Sequence, residues 1–166
     1  AGAGIVEAVE SDSKTGILSF AAQTHTFEEC YYLFFGKTYN KTGDEHVRYI
    51  KMYGRKIYEF GLNFVPLAMK NALDKSGIDI LDVKKILIHQ ANEKMDEAII
   101  KRFYRLYNTQ IPDAVMPMSI HTLGNSSVAN VITFYDLIKH GNLKPHSLNK
   151  GDVILMASVG AGMNIN

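Results

Sequence analysis

A chain of 166 residues, 46% of them hydrophobic, is long enough to close one sizeable core. A formal net charge of +1 offers no basic surplus of the kind that holds nucleic acid, and one cysteine excludes an intramolecular disulfide and suits a reducing, cytoplasmic setting. No apolar run approaches the roughly 20 residues of a membrane-spanning helix, and no basic-then-apolar leader stands at the start, so no membrane partner is expected.

The chain opens at Ala1-Gly2-Ala3-Gly4 without a methionine and reads as a piece of something longer. Ala3–Val9, with Ile5 and Val6, is expected to form a first strand, 11–16 a turn, and Ile17–Thr24 a second strand. Gln23–Val47 has no clean period and is long for a structureless connection, which predicts a lid or substrate-lining loop. Its aromatics Phe27, Tyr31, Tyr32, Phe34, Phe35 and Tyr39 need cover, either from the domain's own core or as the wall of a tunnel completed elsewhere. Cys30 sits beside Glu28 and Glu29, where like charge disfavours a thiolate, so it reads as a packing residue.

Arg48–Tyr53 suits a short strand, and Gly54 opens a helix to about Ser76 with Ile57, Phe60, Phe64, Leu67 and Ala68 on one face. Pro66 should kink or divide that helix, and Gly77 fits the position just past its end. Ile86-Leu87-Ile88 reads as a buried parallel strand that leaves His89 at its carboxyl end, where open α/β sheets bind ligands. Two readings of His89 stay open here: an acid/base or donor group, or an imidazole that merely closes the strand with a hydrogen bond.

Asn92 can cap the helix Glu93–Tyr107, whose Met95, Ile99, Phe103 and Leu106 form the buried arc. Lys94, Lys101, Arg102 and Arg105 gather on another arc. The acidic first turn and basic last turn complement the helix dipole, but Lys94 is basic at the positive end and breaks that pattern. Pro112–Ser119 is expected to be a bend plus a short strand. A helix with Val128, Val131, Ile132, Tyr135 and Ile138 on one face then runs from Ser126 to Lys139 and His140. Val153–Val159 is the last core strand, and Gly160-Ala161-Gly162 is either a plain tight turn or a place where a backbone amide meets a substrate carbonyl. His25, His46, His121, His140 and His146 read as structural.

Three polar stretches, His89-Gln90-Ala91-Asn92, Gly124-Asn125-Ser126-Ser127 and Gly160-Ala161-Gly162, stand in order and in register along the chain. Together they resemble the C-terminal half of the thiolase-fold condensing enzymes, most closely β-ketoacyl-acyl carrier protein synthase III. The resemblance implies an α/β fold, one half of a thiolase-like fold with a mixed five-stranded sheet and helices packed on it. It makes residues 1–166 the C-terminal domain, with 1–10 the last strand of an N-terminal half that also carries the nucleophilic cysteine.

It further implies acyl-coenzyme A and malonyl-acyl carrier protein as substrates of a decarboxylative Claisen condensation that initiates fatty acid synthesis, with no metal and no other cofactor. In that reading His89 and Asn125 are catalytic; Asn92, Gly160, Ala161 and Gly162 line the substrate; and Lys94, Lys101, Arg102 and Arg105 receive the acidic carrier protein. Lys94 stands where the family has an arginine, which keeps charge but loses the planar fork, and Glu59 after Tyr58 replaces a lysine that often meets the carrier. The full-length enzyme would be a homodimer, and this piece alone inactive. A non-catalytic carrier-binding module, and a condensing enzyme of specialised lipid or polyketide synthesis, are the competing classes.

Overall fold

The computed structural model describes residues 2–40 and 42–166. In chain order these form β1 (Gln23–Thr24), β2 (Leu33–Lys37), β3 (Arg48–Met52), α1 (Gly54–Ser76), β4 (Val83–Ile88), α2 (Glu93–Arg105), α3 (Ile120–Leu123), α4 (Asn130–Lys139), β5 (Val153–Ala157), β6 (Val159–Gly160) and β7 (Asn164–Ile165).

The centre is the parallel pair β4 and β5, in register at Ile86 opposite Leu155 and Ile88 opposite Ala157. Ile86, Leu87 and Ile88 are all buried, as a strand covered on both faces requires. Ile86 and Ile88 pack with Phe60, Met69 and Leu73 of α1 and Met95, Ile99 and Phe103 of α2, while Leu87 points the other way onto Phe134 and Ile138 of α4. The strand's alternation thus sorts helices onto opposite sides of the ladder.

At Gly61 an added Cβ would meet Met95 Sδ at 3.3 Å, so the missing side chain sets how closely α1 and α2 approach. The Gly77 cap forms as expected, at φ 70° with its N–H donating to the Asp74 carbonyl. Pro66 is buried inside a single helix rather than at a break between two. Its ring removes the N–H that would have bonded the Leu62 carbonyl one turn back. Arg102 supplies the replacement, Nη1 donating to Leu62 O at 3.0 Å and to Asn63 Oδ1 at 2.8 Å.

Several expectations need correction. The mixed five-stranded sheet is divided among the described residues into three ladders, β1-β7-β6, β2-β3 and β4-β5. Ala3–Val9 forms no strand, because its apolar residues find no neighbour: Ile5, Val6 and Val9 are exposed. Ala1 lies outside the described residues. The second strand shrinks to Gln23–Thr24, paired with Ile165 and Asn164.

The supposed lid contains a hairpin strand, with Phe35 opposite Ile50 and Leu33 opposite Met52. Of its aromatics, Phe27, Tyr31, Phe35 and Tyr39 are exposed; only Tyr32 packs against the core, and Phe34 is partly covered beside Tyr53. No strand forms within Pro112–Ser119, although the Ile86 N–H donates to Val115 O at 2.8 Å. α2 stops two residues short of Tyr107, and the helix expected from Ser126 begins as a 3₁₀ turn at Ser127–Ala129 with Val128 exposed.

Candidate active site

β4 carries His89 to the end of the ladder, where its backbone N–H donates to Ala157 O of β5 at 2.9 Å. The imidazole is half-buried. Burial pushes its pKa below the ordinary histidine value, with the Ser127 backbone carbonyl pulling more weakly in the opposite direction. The ring is therefore neutral near pH 7 and carries a single N–H.

Gln90 is fully buried and fully used. Its Nε2 donates to Pro117 O at 2.7 Å, its Oε1 accepts from Ser119 N at 2.9 Å, and its backbone N–H donates to Asn130 Oδ1 at 2.8 Å. Asn130, also buried, returns its Nδ2 to Ser126 Oγ at 3.1 Å. This places the end of β4, the 117–119 segment and the turn before α4 in one bonded unit.

Asn125 lies exposed on that turn. Ser127 N–H donates to Asn125 Oδ1 at 2.8 Å, which leaves the amide nitrogen as the free, donating end. The turn uses two left-handed residues, Gly124 at φ 63° and Ser127 at φ 55°. The second is costly for a residue with a Cβ and persists only where neighbours hold it.

Gly160-Ala161-Gly162 closes the turn between β6 and β7, with Gly162 at φ 74° and Asn164 Nδ2 donating to Ala161 O at 2.9 Å. Among the described residues no carbonyl accepts from the Ala161 N–H. Asn92 caps α2, its Oδ1 accepting from Met95 N at 3.1 Å, so that oxygen is committed to the helix. Lys94, Lys101, Arg102 and Arg105 are all exposed, but Arg102 is turned onto α1. Among the described residues Lys94, Lys101 and Arg105 have no ion pair.

The structure therefore gathers His89 and the Asn125–Ser127 turn, with Gln90 and Asn130 as the fastening between them. His121 is exposed and pairs with Glu93, Nε2 to Oε1 at 3.1 Å, and His25 stacks on Phe64 at 4.3 Å between ring centres. Cys30 places Sγ 3.0 Å from Phe27 O in the turn before β2. An open cleft of about 450 Å³ lined by Phe27, Glu28, Tyr31, Tyr32, Tyr53 and Lys56 includes neither His89 nor Asn125. Among the described residues no cluster of His, Cys, Asp and Glu could hold a metal ion.

Sequence reasoning passed over Gln90, Asn130 and Asp96. The available signal was polarity inside apolar surroundings, since a buried amide must find partners. Asp96 is buried with neither carboxylate oxygen hydrogen-bonded, and burial, aided by Glu93, raises its pKa to about 8. It is protonated at neutral pH and does not act as the dipole-complementing charge that its place in the first turn implied.

Residues 73–166 match the family model described as 3-oxoacyl-[acyl-carrier-protein (ACP)] synthase III C terminal. The β-ketoacyl-[acyl-carrier-protein] synthase III of Aquifex aeolicus is 27% identical over 163 residues, covering 98% of this chain and 46% of that protein. Its counterpart in Acaryochloris marina is 31% identical over 116 residues, 69% of this chain and 32% of the relative. The crystal structure of 3-oxoacyl-(acyl carrier protein) synthase III from Pseudomonas aeruginosa superimposes with a TM-score of 0.73 at 17% identity, over 95% of this chain and 44% of the other. The chain thus spans less than half the length of these relatives, and the superposition bears out the expected α/β, half-thiolase-like architecture.

Proposed function

Since the chain belongs to the 3-oxoacyl-[acyl-carrier-protein (ACP)] synthase III C-terminal family, we propose that it supplies the histidine and the asparagine of a decarboxylative Claisen condensation. The substrates are an acyl-coenzyme A and malonyl-acyl carrier protein, and the product opens fatty acid synthesis in the cytoplasm. A cysteine thiolate, assigned to a part of the enzyme outside this chain, first takes the acyl group and releases coenzyme A. Malonyl then loses carbon dioxide, and the electrons of the broken C–C bond pass into the thioester as an enolate. The enolate carbon attacks the acyl-cysteine carbonyl, and the tetrahedral intermediate collapses by expelling the thiolate.

Negative charge collects on the malonyl thioester oxygen as carbon dioxide leaves. His89 and Asn125 donate to that oxygen, each lowering the barrier by about 3 kcal/mol in a dry site. The observation that carries this reading is the Ser127 amide bond to Asn125 Oδ1, which leaves Nδ2 as the donating end on a turn that Asn130 ties to the residue after His89.

The Ala161 amide faces the acyl-cysteine oxyanion, with Gly160 and Gly162 giving the substrate room, and Asn92 borders it through its remaining Nδ2. Lys94, Lys101 and Arg105, with Arg102 alongside, receive an acidic carrier helix. Residues 1–10 take up a strand only against the N-terminal half, which supplies the neighbour they lack here, and the whole enzyme works as a homodimer.

In the full-length enzyme, His89→Ala and Asn125→Ala should each slow carbon dioxide release from malonyl-acyl carrier protein by about 10²–10³-fold. Acylation of the cysteine by acyl-coenzyme A should survive both. Unchanged decarboxylation in either variant would remove that residue from the donor pair.

A further inference from the structure

We infer that Asn130 is a positioning residue: its two side-chain hydrogen bonds fasten the Asn125–Ser127 turn to the end of β4 and so set the His89 ring and the Asn125 amide relative to each other. The inference deepens the condensing reading and rests on it for its chemical meaning.

Asn130 begins α4, yet it is not a helix cap. The residue before it, Ala129, holds the capping position, and no side chain caps the helix. A buried amide costs stability unless its ends are paired. Both ends of this one are used: Oδ1 accepts from the Gln90 N–H at 2.8 Å, the residue after His89, and Nδ2 donates to Ser126 Oγ at 3.1 Å, the residue after Asn125.

One side chain thereby joins the immediate neighbours of both proposed donors across forty positions of sequence. Ser127 lies next to them in a left-handed conformation that needs outside support, and its N–H donates to Asn125 Oδ1. Simple core filling does not account for the residue, because an apolar side chain of similar size would fill the space while making neither bond.

The test is NMR of this chain with ¹⁵N-labelled histidine and no substrate present. In the parent, the half-buried His89 ring should titrate below the ordinary histidine range. Ser126→Ala cuts one of the two bonds at an exposed position, and Asn130→Leu cuts both. Each should move the His89 titration midpoint up toward the ordinary histidine range, since burial is the larger cause of its depression. The methyl signals of Ile99, on the α2 side of the ladder, should stay in place.

Asn130→Asp still accepts from Gln90 N–H, and the Ser126 hydroxyl can reverse to donate, so its His89 midpoint should stay closer to the parent's than that of Asn130→Leu. His89 signals in Ser126→Ala that match the parent would overturn the inference, whether or not Asn130→Leu folds. Loss of decarboxylation in His89→Ala bears on the condensing reading alone, because these ring signals are read without turnover.

Discussion

The end of β4 and the β2-β3 hairpin treat their side chains in opposite ways. Around His89 the polar residues are inside: Gln90 and Asn130 are almost wholly buried, and every side-chain oxygen and nitrogen they own has a partner. On the hairpin the apolar residues are outside: Phe35 is 73% exposed and its cross-strand partner Ile50 is 71% exposed. Polarity therefore says little about which region is rigid. What distinguishes them is whether each group has found its complement, and by that measure the amide-lined turn is the firm part of this chain and the aromatic hairpin the unsupported one.

Gln90→Leu should break the contrast most severely. It leaves the Pro117 carbonyl and the Ser119 N–H buried without partners, at about 1–3 kcal/mol each, so urea denaturation should show a loss of roughly 2–6 kcal/mol. Phe35→Ser on the hairpin should stay within about 0.5 kcal/mol of the parent despite removing a far larger apolar group.

Asp96 is the exception that sharpens the comparison, a buried carboxyl with no partner. Its folded-state pKa of about 8 lies above the unfolded value of 3.8, so the folded chain holds the proton more tightly. That contribution is full below the unfolded pKa and is lost as pH rises toward 8. Asp96→Asn should therefore gain on the parent by up to about 1.4 kcal/mol for each pH unit across that window, measured as the difference in denaturation midpoints.

Smaller effects follow on α2. Arg102→Ala strands the Leu62 carbonyl opposite Pro66 and should cost about 1 kcal/mol, with amide exchange quickening in the middle of α1. Charge reversal at Lys94, Lys101 or Arg105 should leave stability nearly unchanged. If this face receives an acidic carrier as proposed, each exposed pair is worth only about 0–1 kcal/mol, so single reversals should weaken carrier binding slightly and the triple reversal should abolish it in a salt-dependent way.

The parts that were legible in sequence are those fixed by local rules. The Gly77 stop, the Asn92 cap and the all-apolar Ile86–Ile88 run each announce their structure within a few residues, and each is found as read, whereas of the stripe Ile57, Phe60, Phe64, Leu67 and Ala68 only Phe60 and Ala68 are fully buried and Leu67 is exposed. The hairpin was missed because Phe34 and Phe35 are adjacent and Gly36 follows, so no alternation marks the strand. Ala3–Val9 has strand composition, but a strand exists only with a neighbour, which composition cannot supply.

At the site, the two proposed donors could be picked from the His-Gln-Ala-Asn and Gly-Asn-Ser-Ser stretches, but the residues that fasten them could not. Gln90 and Asn130 meet across a distance in sequence that no local pattern encodes. Arg102 is similar: it was grouped with three other basic residues by its angle on the helix, whereas its actual partner is a carbonyl that a proline on another helix left open.

A donor pair requires that His89 and Asn125 address one point in space. A high-resolution crystal structure of the chain should show one water, or one thioester oxygen of a bound malonyl analogue, within hydrogen-bond reach of both the His89 ring and Asn125 Nδ2, about 2.6–3.2 Å from each. An ordered structure with the two side chains more than about 10 Å apart, or with Asn125 turned so that its oxygen faces the site, would contradict it.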